Sequence, residues 1–186
     1  MHHYKTYRQA VDLALEKLEE SEKLIMLYEN EHNISKCISE YIACIPKQIK
    51  IEIEFDSDST ICLKGYSIID GFSGFGEAWF NSEGILSFAR SILDFDDVLE
   101  LSGGNYGEGG ILVDKQFGLT ISELSPNHKY GMYITLADQP GTYCRPEEVR
   151  RFSGELKFTK KALLQFSKDL LDLLFERKKS IVVYGD

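Results

Sequence analysis

Residues 71–104 read GFSGFGEAWFNSEGILSFARSILDFDDVLELSGG, and this stretch decides the fold class. Gly76 to Phe80 has strand composition and runs into Asn81, whose short side chain can accept a hydrogen bond from the free amides that open a helix. Ile85, Leu86, Phe88, Ala89, Ile92, Leu93 and Phe95 then recur at three- and four-residue spacing, which lines one face of a helix. After Asp96 and Asp97, Val98-Leu99-Glu100-Leu101 reads as another strand, closed by Gly103-Gly104. The segment is a strand–helix–strand packing unit.

On the N-terminal side, residues 4–28 and 34–45 read as two helices, the second halted at Pro46, which disfavours helical geometry in the residue before it. From Gln48 the period changes to two. Ile49, Ile51, Ile53 and Phe55 alternate with Lys50, Glu52 and Glu54, the pattern of a strand with one wet face. Asp56 to Ser59 is a polar turn, Thr60 to Ile68 completes a hairpin, and residues 69–74 are expected to turn the chain into Gly76–Phe80.

On the C-terminal side, residues 103–110, GGNYGEGG, are expected to form a long flexible connection. Ile111–Val113 and Phe117–Leu124 then resume the strand pattern, as one strand or two, and Tyr130–Ala137 follows a turn at Ser125–His128. Residues 138–150 are a loop and Phe152–Phe158 a strand. Thr159 is placed to cap a final helix in which Leu163, Leu164, Phe166, Leu170, Leu171, Leu173, Leu174 and Phe175 give a broad apolar stripe. Ile181–Tyr184 adds a short terminal strand. Strands following strands as hairpins imply an α+β fold: an antiparallel sheet of about six to eight strands with amphipathic helices packed on it. The expected division is an N-terminal helical extension, 1–46, and an α+β sheet domain, 47–186.

Hydrophobic residues make up 43% of the chain and charged residues 27%, ordinary globular values. No apolar run approaches the roughly 20 residues that span a bilayer, and the N-terminus has no export-signal pattern. A cytoplasmic protein with free thiols at Cys37, Cys44, Cys62 and Cys144 is expected. The net charge of −9 is unevenly spread: residues 49–144 hold 5 Lys+Arg against 15 Asp+Glu, whereas residues 145–186 hold 10 against 7. A middle region this acidic repels nucleic acid and anionic lipid and attracts a basic partner.

Known chemical motifs fail here. Residues 103–110 lack the Gly-Lys-Ser/Thr and the helix of a phosphate loop, and Gly71-Phe72-Ser73-Gly74-Phe75 has Phe75 where a nucleophile elbow needs Gly. His2, His3, His32 and His128 are dispersed, without metal-ligand spacing. Asp70, Glu77, Glu100 and Glu108 are carboxylates to weigh for acid–base work. The expectation is therefore a protein without enzymatic activity, cofactor or metal.

Gly76-Glu77-Ala78-Trp79-Phe80-Asn81, the helix with Phe88-Ala89, Leu101-Ser102-Gly103-Gly104 and Phe117-Gly118-Leu119 together resemble a group of small uncharacterised bacterial proteins that includes immunity proteins of toxin systems. The likeness covers about residues 49–177 and carries over no catalytic residue. It implies a protein-binding module that neutralises a toxin. Asp94, Asp96, Asp97 and Glu100 are the candidate partner-binding patch, because acids at a helix C-terminus face the negative end of its dipole and call for compensation. The alternative is a small-ligand binding domain or hydrolase with a pocket lined by Phe72, Phe75, Trp79 and Tyr106. Leu24, Ile25 and Leu27, in the N-terminal helices, offer a surface for homo-oligomerisation.

Overall fold

The computed structural model describes residues 45–57, 60–95, 98–125, 129–139, 145 and 148–185. The expected helices at 4–28 and 34–45, the self-association surface, Asp96, Asp97, Cys37, Cys44, Cys144 and all four histidines lie outside the described residues. From Pro46 onward the described residues belong to one compact unit.

Among the described residues the order is β1 (Gln48–Phe55), β2 (Thr60–Ile69), β3 (Phe72–Asn81), α1 (Ser82–Ser91), β4 (Leu99–Tyr106), β5 (Leu112–Ser125), β6 (Lys129–Ala137), β7 (Arg151–Thr159), α2 (Lys160–Leu174) and β8 (Ser180–Tyr184). The α+β class holds. The strands, however, form two four-stranded antiparallel sheets, ordered β3-β2-β1-β8 and β4-β5-β6-β7, where the sequence suggested one. The strand–helix–strand unit is the bridge between them: β3 ends the first sheet, α1 carries the chain across, and β4 begins the second.

Several elements differ from expectation for local reasons. The turn expected at 69–74 shrinks to Asp70-Gly71, both in the left-handed region at φ 51° and 81°, and Ile69 pairs with Phe72. Two such residues make the tight turn whose twist suits a hairpin, so Phe72, Ser73 and Gly74 belong to β3. The expected flexible connection at 103–110 is shorter too. Gly103 to Tyr106 continue β4, with register shifts at Gly103/Gly104 and Asn105/Tyr106, and only a 3₁₀ turn at Glu108–Gly110 intervenes before β5. β5 is one strand through Asp114-Lys115.

Sheet pairing places Ile49, Ile51, Ile61, Leu63 and Ile69 on the inner face of the first sheet. Phe117, Leu119, Ile121, Met132, Ile134, Leu136 and Leu156 belong to the second, and all join one buried cluster. On β3 the inward positions are Gly74, Gly76, Ala78 and Phe80. In succession they meet Phe152 of β7, the Gln116, Leu136 and Ala137 backbone of β5 and β6, and Gly103 of β4. β3 therefore crosses the strands of the second sheet, with small residues where backbone meets backbone. Phe80 completes the contact edge-to-face on Phe117, ring centroids 5.8 Å apart.

Away from this crossing the helices occupy the space between the sheets. α2 touches β1 and β8 of the first sheet and β6 and β7 of the second. Asn81 caps α1 by accepting from the Gly84 amide at 2.6 Å. Thr159 caps α2 by accepting from Ala162. Ile85, Phe88, Ala89 and Ile92 of the α1 stripe are buried, Phe95 is partly buried, and Leu93 is exposed. The stripe on α2 is narrower than expected. Leu163, Phe166, Leu170 and Leu173 are buried, but Leu164 and Phe175 are exposed, while Leu171 and Leu174 pack only at the margin. Ser167, buried, donates to the Ala89 carbonyl at 2.6 Å and fixes one helix on the other. Beyond the end of α2, Lys178 pairs with Asp169 at 2.5 Å.

Among the described residues, one buried side-chain group lacks a partner. Gln116 is the extra residue of the β5 bulge opposite Gly103-Gly104; it is 3% exposed, and its side-chain Nε2 has no hydrogen-bond acceptor. A buried unsatisfied donor costs about 1–3 kcal/mol, so Gln116→Met, of similar length and apolar, should raise stability by about 1 kcal/mol. A higher urea midpoint at unchanged slope is the expected reading. A loss of about 1 kcal/mol would mean that the amide holds a buried water.

Candidate functional site

The outer face of the first sheet follows from the alternation of its strands. On β3 it carries Phe75, Glu77 and Trp79, and the register sets these opposite Tyr66, Lys64 and Cys62 of β2. Beyond them on β1 stand Lys50, Glu52 and Glu54, and Val182 lies opposite Lys50 on β8. Trp79 is 46% exposed and Tyr66 36%. The Tyr66 and Phe75 rings touch at a tilt, with centroids 4.9 Å apart. The result is an open surface on which aromatic rings alternate with charges.

Its electrostatics are negative. Lys64 stands opposite Glu77 in register, but its ammonium bonds Glu54, and Lys50 bonds Glu52 at 2.6 Å. Both lysines are thus neutralised within the face. Glu77 has no ion pair among the described residues, and its charge is surplus. Three titrating groups on this face are shifted upward, with neighbouring carboxylates among the causes. Burial first, and then the Glu77 carboxylate, pushes the Cys62 thiol up to about 11. Burial and then Glu52 raise the Tyr66 phenol, and the hydrogen bond to Glu54 raises Lys64. Cys62 is a free, buried thiol held in its protonated, unreactive form.

Of the sequence-derived patch, Asp94 and Glu100 are among the described residues. Asp94 is exposed just beyond α1 and lines an open groove of about 600 Å³ with Glu83, Leu86, Ser87, Arg90, Ser91 and Leu99. Arg90 lies in the last turn of the helix and supplies the cation that its negative end favours. Leu99 faces this groove, so Glu100, the next residue of β4, points to the opposite side. There it bonds Lys115 at 2.5 Å. The Lys115 ammonium, and then the Ser102 hydroxyl, hold the Glu100 carboxyl below the usual carboxylate range. Asp94 and Glu100 therefore do not form one patch.

The four aromatics considered as a pocket also separate. Phe75 and Trp79 share the outer face described above. Phe72, at an odd spacing from both, falls on the other face of β3, 74% exposed beside the hairpin turn, and Tyr106 is exposed at the end of β4 in the second sheet. None of the four lines the groove at α1. The carboxylates weighed for acid–base work lie on different elements: Asp70 pairs with Lys47 at 2.9 Å, Glu108 is in the 3₁₀ turn, and Glu77 is on β3. Tyr66, Glu52 and Glu54 did not figure among the candidates, although pairing Thr60–Ile68 with its neighbours by period two would have set Tyr66 beside Phe75.

No family model matches this chain, and a comparison with curated proteins gives no match. The functional reading therefore rests on the geometry and charge of the molecule itself.

Proposed function

We propose that this chain is a non-enzymatic, cytoplasmic protein-binding module whose partner is a basic protein, with neutralisation of a basic toxin as its sharpest form. The observation that carries the reading is the outer face of the first sheet, where half-exposed Trp79 and Tyr66 lie among carboxylates in excess of lysines. Aromatic side chains on a broad surface suit a protein more than a small molecule, because small ligands need a concavity that buries most of their area. The charge agrees, since residues 49–144 hold three acidic residues for every basic one. Among the described residues no helix is long and apolar enough to cross a membrane.

The test is co-expression of the full chain with the products of adjacent reading frames, followed by isolation of the complex and measurement of its association rate against salt. A 1:1 complex with a basic product is expected. Its association should slow steeply as added salt shortens the screening length from about 10 Å at 0.1 M to about 3 Å at 1 M. Absence of a complex with any adjacent product at low salt would count against the proposal.

A further inference from the structure

Glu77 and Trp79 are neighbouring groups on the outer face of the first sheet that its internal pairings leave available. The carboxylate of Glu77 is unpaired among the described residues, and the indole of Trp79 is 46% exposed. They are two residues apart on one strand, so their side chains leave the same face about 6.5–7 Å apart along it. We infer that Glu77 and Trp79 form the seat for an arginine side chain presented by a protein partner, which rests on the protein-binding reading above and names where it docks.

Several features favour that occupant. A guanidinium is planar, stacks on an aromatic face and offers a fork of donors to a carboxylate, so one arginine can lie on the indole and reach Glu77 together. An ammonium is a compact point charge and uses the ring less well. The surrounding field favours a cation, for the face already holds Glu52 and Glu54, which occupy Lys50 and Lys64. An anionic or apolar occupant would leave the Glu77 charge unanswered.

The same chemistry excludes free arginine as the natural ligand. An exposed contact between a cation and a ring strengthens binding by only about two- to five-fold, and an exposed ion pair by a comparable factor. Such a seat specifies and orients a partner already held by a wider surface. Tyr66, beside the seat and 36% exposed, extends that surface.

Trp79 is the only tryptophan in the chain, so its emission reports the seat directly. The experiment titrates full-length protein with a nine-residue oligo-arginine peptide at low salt. Saturable quenching of Trp79 is expected, with oligo-lysine binding several-fold more weakly. Glu77→Gln should weaken oligo-arginine binding about three- to five-fold, while Glu176→Gln, which removes an exposed acid just beyond α2, should change it less than twofold. Unchanged Trp79 emission, or equal losses in the two variants, would overturn the inference. Trp79→Ala, followed by calorimetry, gives a second reading and should weaken arginine more than lysine. With the partner itself in hand, a complex indifferent to both Glu77→Gln and Trp79→Ala sinks the seat and leaves the protein-binding reading standing. Glu77-dependent peptide binding without any partner complex does the reverse.

Discussion

Gly76→Ala is expected to destabilise the protein by about 3 kcal/mol or more, at the top of the range for forcing one extra methyl into a packed interior. A Cβ at this position would lie 2.3 Å from the Gln116 carbonyl oxygen, 2.8 Å from the Ala137 nitrogen and 3.0 Å from the Leu136 Cα. All three are backbone atoms, so no side chain can rotate away. Relief requires β3 to lift off the second sheet, which would separate Phe80 from Phe117 and open the buried cluster beneath. Gly110→Ala is the control. Gly110 has φ 73° with nothing within 4 Å of its virtual Cβ, and its cost should be only the 1–2 kcal/mol or so of placing an L-residue in the left-handed region. Urea unfolding of both variants gives the comparison. If Gly76→Ala costs no more than Gly110→Ala, β3 does not cross the second sheet at contact distance.

That crossing also shows where sequence reading stops. The strands, the cap at Asn81, the cap at Thr159 and the hairpins were legible because each is decided by residues within about ten positions of one another. The division into two sheets was not. Alternation says which residues of a strand face inward, but an inward face can be covered by a helix or by another sheet, and the patterns are the same. The clue was the series Gly74, Gly76, Ala78 on one face of β3, small residues where a covering helix would have been met by Ile, Leu or Val. Likewise Gly103-Gly104 looked like loop composition, although here glycine is what lets β4 bulge beneath Phe80. β8 was expected as a strand, but its place beside β1, more than 120 residues away, has no local signature.

The functional surface was half legible for a related reason. Grouping Phe72 with Phe75 and Trp79 ignored the period of two, which separates the first from the others once all three lie on one strand. The acids near the end of α1 stand out in the sequence because they conflict with a helix dipole, a local argument. The surplus charge of Glu77 is not local. It emerges only when Lys64, opposite it in register, is seen to bond Glu54 on the far strand. Which of several carboxylates captures a lysine depends on side-chain reach across a formed sheet.

Leu170→Ala should lower stability by about 3–5 kcal/mol, and Leu174→Ala by about 1–2 kcal/mol. The sequence alone treats the two as equivalents, four residues apart on one stripe of α2. The structure separates them: Leu170 is 1% exposed within the cluster shared by both sheets, whereas Leu174 only packs against its edge. Truncating Leu170 removes a side chain from between two layers that are already pinned at the β3 crossing, so collapse around the void is limited and the cavity contribution adds to the lost transfer energy. At Leu174, in the last turn, solvent fills the space and the cavity contribution largely vanishes. Chemical denaturation of both variants provides the measurement. Equal losses would mean that α2 is buried evenly along its length, and a loss under about 1 kcal/mol at Leu170 would mean that the helix does not sit between the sheets.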